Sequence, residues 1–118
     1  MAQPRILSVG CDSRLLTARH KLLERAGFDV TSLGSTYEAL KVLERESFDA
    51  VVVGYAFSFT EKQLFAAEVG ERWRMPVIVQ HEADFQKAAN AELEITESAF
   101  ELVGNIWSIL QRRQKQSA

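Results

Sequence analysis

Short apolar runs alternate with amphipathic stretches along the whole chain. Ile6-Leu7-Ser8-Val9, residues 28–33, Ala50-Val51-Val52-Val53 and Val77-Ile78-Val79 read as strands, with Leu93-Glu94-Ile95 as a fifth. The run Ala50-Val51-Val52-Val53 is apolar on both faces, as a central parallel strand should be. Between the strands the apolar period lengthens to that of a helix. Residues 13–26 place Leu15, Leu16, Ala18, Leu22, Leu23 and Ala26 on one stripe, and Gly27 follows where a left-handed cap is needed. Ser35-Thr36-Tyr37-Glu38 has capping-box spacing and opens a second helix to about residue 46, with Leu40 and Leu43 inward. Thr60-Glu61-Lys62-Gln63 is read as a further box, opening a third helix through about residue 72. Residues 84–90 have room for about two turns of a fourth, and a last helix runs over about 97–112. This alternation predicts a parallel sheet with helices on both faces, a three-layer α/β sandwich.

The chain has 118 residues, the size of one domain, so residues 1–118 are read as a single unit with a frayed tail after about residue 112. Its net charge of −2 shows no basic stripe, which argues against direct nucleic-acid binding. The basic stretch Arg112-Arg113-Gln114-Lys115 suits the C-terminal end of a helix. Cys11 is the only cysteine, so no internal disulfide can form. The first residues lack a signal peptide's apolar core, and no apolar stretch approaches the roughly 20 residues that span a membrane. A cytoplasmic protein is expected.

Five segments in order carry a resemblance. They are Ile6-Leu7-Ser8-Val9, the stretch from Leu22 through Ala26-Gly27-Phe28 to Val30, Glu38-Ala39-Leu40, Phe48-Asp49-Ala50-Val51-Val52-Val53, and Met75-Pro76-Val77-Ile78-Val79. Together they resemble the receiver (CheY-like) domain of bacterial response regulators, up to about residue 79; beyond Gln80 the match is poor. The resemblance implies a flavodoxin-like fold, a five-stranded parallel sheet of order 2-1-3-4-5. The segment from His81 to Thr96 is shorter than the family norm by roughly two helical turns, so the fourth helix should be shortened.

The family's pocket holds an acidic pair after the first strand and a phosphoacceptor Asp after the third. A hydroxyl follows the fourth strand and a Lys the fifth. The carboxylates hold Mg²⁺, the acceptor is the nucleophile, and the last two neutralise the transferred phosphoryl group. Carried over, the acidic pair falls on Gly10 and Cys11, the acceptor on Gly54, the hydroxyl on His81 and the Lys on about Thr96. All five depart from the pattern. Asp12 is acidic but lies one step too far along, and only a bulge would swing it inward. The implied function is a pseudo-receiver in two-component phosphorelay signalling. It would be an interaction module independent of phosphorylation, with no enzyme activity, no metal and no cofactor.

Other readings stay open at this level. The emptied pocket could hold a small ligand, or Cys11 with His81 could sense oxidant or bind a metal. An unusual acceptor, Asp12 or Ser58, would keep the domain phosphorylatable. The aromatic loop Tyr55-Ala56-Phe57-Ser58-Phe59 is expected to pack down and plug the pocket, rather than form an exposed patch. Arg19 interrupts the stripe of the first helix and is expected to send its charged head outward. The last helix is apolar over about half its circumference, more than core packing needs. Its edge at Leu102 and Ile109, with Ile106, is the candidate interface for a protein partner or a symmetric homodimer.

Overall fold

Strand alternation divides the core into two layers. The structure is a computed structural model that describes residues 3–54, 57–80, 93–96 and 99–117. The elements are β1 (Arg5–Val9), α1 (Ser13–Arg25), β2 (Asp29–Leu33), α2 (Thr36–Leu43), β3 (Ala50–Val53), α3 (Phe59–Trp73), β4 (Val77–Gln80), β5 (Leu93–Thr96) and α4 (Ala99–Ser117). All strand pairs are parallel, in the order β2-β1-β3-β4-β5. This is the flavodoxin-like α/β arrangement. On one side Leu7, Val9, Val51, Val53, Val77 and Val79 pack under α2 and α3. On the other Ile6, Val30, Ala50, Val52 and Ile78 pack under α1 and α4.

The helix ends follow local chemistry. Asp12 caps α1, accepting from the N–H groups of Arg14 and Leu15 at 3.0 and 3.3 Å. Gly27, at φ +99°, makes the left-handed exit that its position predicts. Ser35 caps α2 by accepting from the Glu38 N–H at 3.1 Å. The third helix starts earlier than expected. Its cap is Ser58, which accepts from the Glu61 N–H at 3.1 Å, so the box is Ser58-Phe59-Thr60-Glu61 and not the one headed by Thr60. Ser58→Ala is expected to cost about 1 kcal/mol. Urea unfolding checks this: the midpoint should fall while the slope stays constant.

α4 differs from expectation in its buried face and in its length. Leu102 and Ile106 are fully buried and Ile109 nearly so, which removes them as an exposed interface. Their i, i+4, i+7 spacing forms the stripe that seats α4 on Val52 and Ile78 and beside Leu23 and Phe28 of the α1 side. Most of the wide apolar arc is covered because α4 faces the sheet and α1's flank together, and Trp107 at its edge stays exposed. α4 also runs beyond the expected bound of about residue 112, to Ser117. Its basic end meets a helix terminus, though a neighbour's: Arg113 Nη2 donates to the Arg74 carbonyl, just past α3, at 2.7 Å. The short helix expected over 84–90 lies outside the described residues.

Candidate strand-end site

β1 and β3 end side by side, with Val9 opposite Val53, so Gly10 and Gly54 are neighbours at the mouth of the sheet. The Gly54 N–H donates to the Val9 carbonyl at 2.9 Å, and the Gly10 N–H to the Leu33 carbonyl at 3.0 Å. By strand alternation Ser8, Gly10 and Gly54 continue the face begun by Ile6, Ala50 and Val52. That face looks toward α1. Neither glycine carries a side chain, so the face ends in a hollow.

Arg19 fills the hollow. It stands at the centre of the inward stripe of α1 and is only 6% exposed. Its Nε donates to Ser8 Oγ at 2.8 Å and its Nη2 to the Val9 carbonyl at 3.0 Å. The planar fork thus ties α1 to a strand residue whose own side chain is completely buried. Among the described residues no buried side-chain nitrogen or oxygen lacks a hydrogen-bond partner. The expectation of an outward head is therefore wrong. A long stem on an inward stripe reaches the sheet, and two missing side chains give the head a polar berth.

The fit also explains the glycines. A Cβ at residue 54 would come within 2.9 Å of Arg19 Nη1, and one at residue 10 within 3.0 Å of Nη2. Arg19 crowds both positions, and neither glycine has the positive φ that would itself call for one.

The other site residues are placed as follows. Cys11 and Asp12 are exposed, and Asp12 is occupied in capping α1, so it does not swing into the hollow. Thr96 ends β5 opposite Gln80. His81 lies outside the described residues, as does Tyr55 of the aromatic loop. Phe57 is buried, yet it joins the layer under α2 and α3 with Val53 and Phe65. Among the described residues it is Arg19 that fills the hollow. Sequence reasoning also passed over Lys62, a second buried cation, in α3.

A magnesium ion of the receiver kind does not fit these residues. The ion wants oxygen ligands, carboxylates above all. The first strand end offers Gly10, the third offers Gly54, and a guanidinium stands between them. Among the described residues no three His, Cys, Asp or Glu side chains converge as a metal group. No described helix is long and apolar enough to cross a membrane.

No protein-family model and no curated protein matches the sequence. Solved structures match the fold. A response regulator receiver domain from Clostridium thermocellum has a TM-score of 0.81 at 22% identity, covering 96% of this chain and 98% of that one. A response regulator receiver protein from Sinorhizobium medicae has a TM-score of 0.81 at 22% identity, covering 94% and 97%. The response regulator TrrA from Thermotoga maritima, in complex with Mg²⁺ and BeF, has a TM-score of 0.73 at 15% identity, covering 92% and 99%. The chain therefore has the fold of these receiver domains.

Proposed function

We propose that the chain is a receiver-like domain of bacterial two-component signalling, acting in the cytoplasm without phosphorylation, as a protein–protein interaction module with no enzyme activity. One observation carries this reading: the Arg19 guanidinium occupies the hollow between Gly10 and Gly54. Phosphoryl transfer on this fold would need a carboxylate nucleophile at residue 54 and a metal held beside it. A glycine supplies no nucleophile. A divalent cation about 4 Å from the guanidinium would be repelled by about 8 kcal/mol at an effective dielectric of 20. The small-ligand reading gains no support from this geometry, because the guanidinium takes the space that the glycines open.

The interaction surface must differ from the buried Leu102, Ile106 and Ile109. What α4 leaves exposed is Trp107, flanked at heptad spacing by the half-buried Val103 and Leu110. Trp107 rests on Phe28 with ring centroids 4.7 Å apart, which fixes its orientation. Tryptophan anchored in this way is a common centre of binding energy.

The test is a small-molecule phosphodonor with Mg²⁺, followed by intact mass. The expected result is an unmodified chain. A stoichiometric phosphoryl adduct that maps to Asp12, or to any other residue, would overturn the reading.

A further inference from the structure

The two helix layers differ in charge. Around α2, α3 and their ends the exposed charged residues are Glu38, Glu44, Glu46, Glu61 and Glu71, with Glu68 half-buried, against Lys41, Arg45, Arg72 and Arg74. On α1, its cap and α4 they are Arg14, Lys21, Arg25, Arg112 and Arg113 against Asp12, Glu24 and Glu101. One side of the sheet is thus acidic and the other basic, although the chain as a whole carries only −2.

Each side also carries an apolar feature. Between α2 and α3 runs an open groove of about 380 Å³, floored by Leu40, Leu64 and Phe65 and edged by Glu61 and Glu68. Leu64 is 68% exposed. α2 and α3 are bridged on either side of the groove. Thr36 Oγ1 donates to Glu61 Oε2 at 3.0 Å, and Arg72 bridges Glu44 and Glu68 at 3.0 and 2.9 Å. Those two carboxylates, Glu44 first, hold the Arg72 guanidinium above its ordinary pKa. On the basic side the corresponding feature is the exposed indole of Trp107.

We infer that the acidic α2–α3 groove of one copy receives the basic, Trp107-bearing α1–α4 face of a second copy, so that the chain associates head to tail. This rests on the interaction-module reading above and names the partner and both surfaces. Opposite charge steers the two faces together and disfavours pairing of like faces. The indole over Leu64 supplies the apolar contact. The contact joins different surfaces, so each copy keeps one face unused, and assembly proceeds beyond two unless the rotation closes a ring.

Light scattering over a concentration series tests this with wild type, Leu64→Glu and Trp107→Glu, each checked by thermal melting. Wild type is expected to grow in mass with concentration and to lose that growth between about 0.05 and 0.5 M salt, as screening predicts. Each variant alone is expected to be monomeric, and an equimolar mixture of the two to form a dimer and nothing larger, because each retains one intact face. If Trp107→Glu does not fold, Lys21→Glu with Arg25→Glu impairs the same face. A Leu64→Glu chain that still assembles while the α4-face variant does not would overturn the head-to-tail contact and leave self-association through α4 standing. A wild type that stays monomeric at every concentration would overturn both.

Discussion

Replacing Arg19 by alanine is expected to destabilise the fold by about 2–4 kcal/mol, the range for emptying a buried site and stranding a polar partner. The loss has separable parts. Ser8 Oγ, wholly buried, loses its donor. The Val9 carbonyl suffers less, because it keeps the Gly54 N–H. The stem leaves a void between α1 and the ends of β1 and β3. Lysine at residue 19 is expected to recover only part of the loss, since an ammonium is a single point of donation and cannot reproduce the fork. Urea unfolding of wild type, Arg19→Ala and Arg19→Lys checks the order. Equal stability of all three would mean that the guanidinium contributes nothing to the fold.

Gly54→Ala is expected to cost about 1–3 kcal/mol, the usual penalty for adding a methyl group where there is no room. The clash is with Arg19 Nη1 at 2.9 Å, the far end of a side chain that is pinned at Ser8 and Val9. Combining Gly54→Ala with Arg19→Ala should therefore be less harmful than the sum of the two. A coupling energy of about 1 kcal/mol or more is expected between these contacting sites. A double-mutant cycle measures it, and simple additivity would show that the two residues do not share this space. By the same geometry, Gly54→Asp alone should not create a phosphoacceptor. The new carboxylate would be born against a guanidinium, with Gly10 and Cys11 still in place of the metal-binding pair.

Much of the architecture was legible because it rests on short-range chemistry. The apolar runs became β1, β3 and β4 with the expected boundaries to within a residue, and Ser35 and Gly27 cap and terminate helices as their types require. The cap of α3 is expected at Thr60 and lies at Ser58, two residues earlier. Ser58–Glu61 and Thr60–Gln63 both have the three-residue spacing of a box, so spacing alone does not choose between them. The apolar arc of α4 was read correctly as broad, but breadth alone does not say what covers it; Leu23 and Phe28 do, and both lie far away in the chain.

Arg19 was misjudged for a different reason. The rule that a long cation sends its head to water assumes an interior with nothing to receive it. Here Ser8 supplies a buried acceptor, and Gly10 and Gly54 supply the room. The signal was present as a coincidence of three positions: two strand-end glycines where the receiver pattern has carboxylates, and a cation centred on the stripe of the neighbouring helix. No one of the three reveals the arrangement alone; together they do.

That coincidence has a consequence for substitution. A side chain returned to residue 54 meets the guanidinium, and loss of the guanidinium alone leaves a void above Ser8. Neither change is open to one substitution at a time without a loss of stability. Residues 10, 19 and 54 are therefore coupled: a change at one is tolerated best when a neighbour in the trio changes with it.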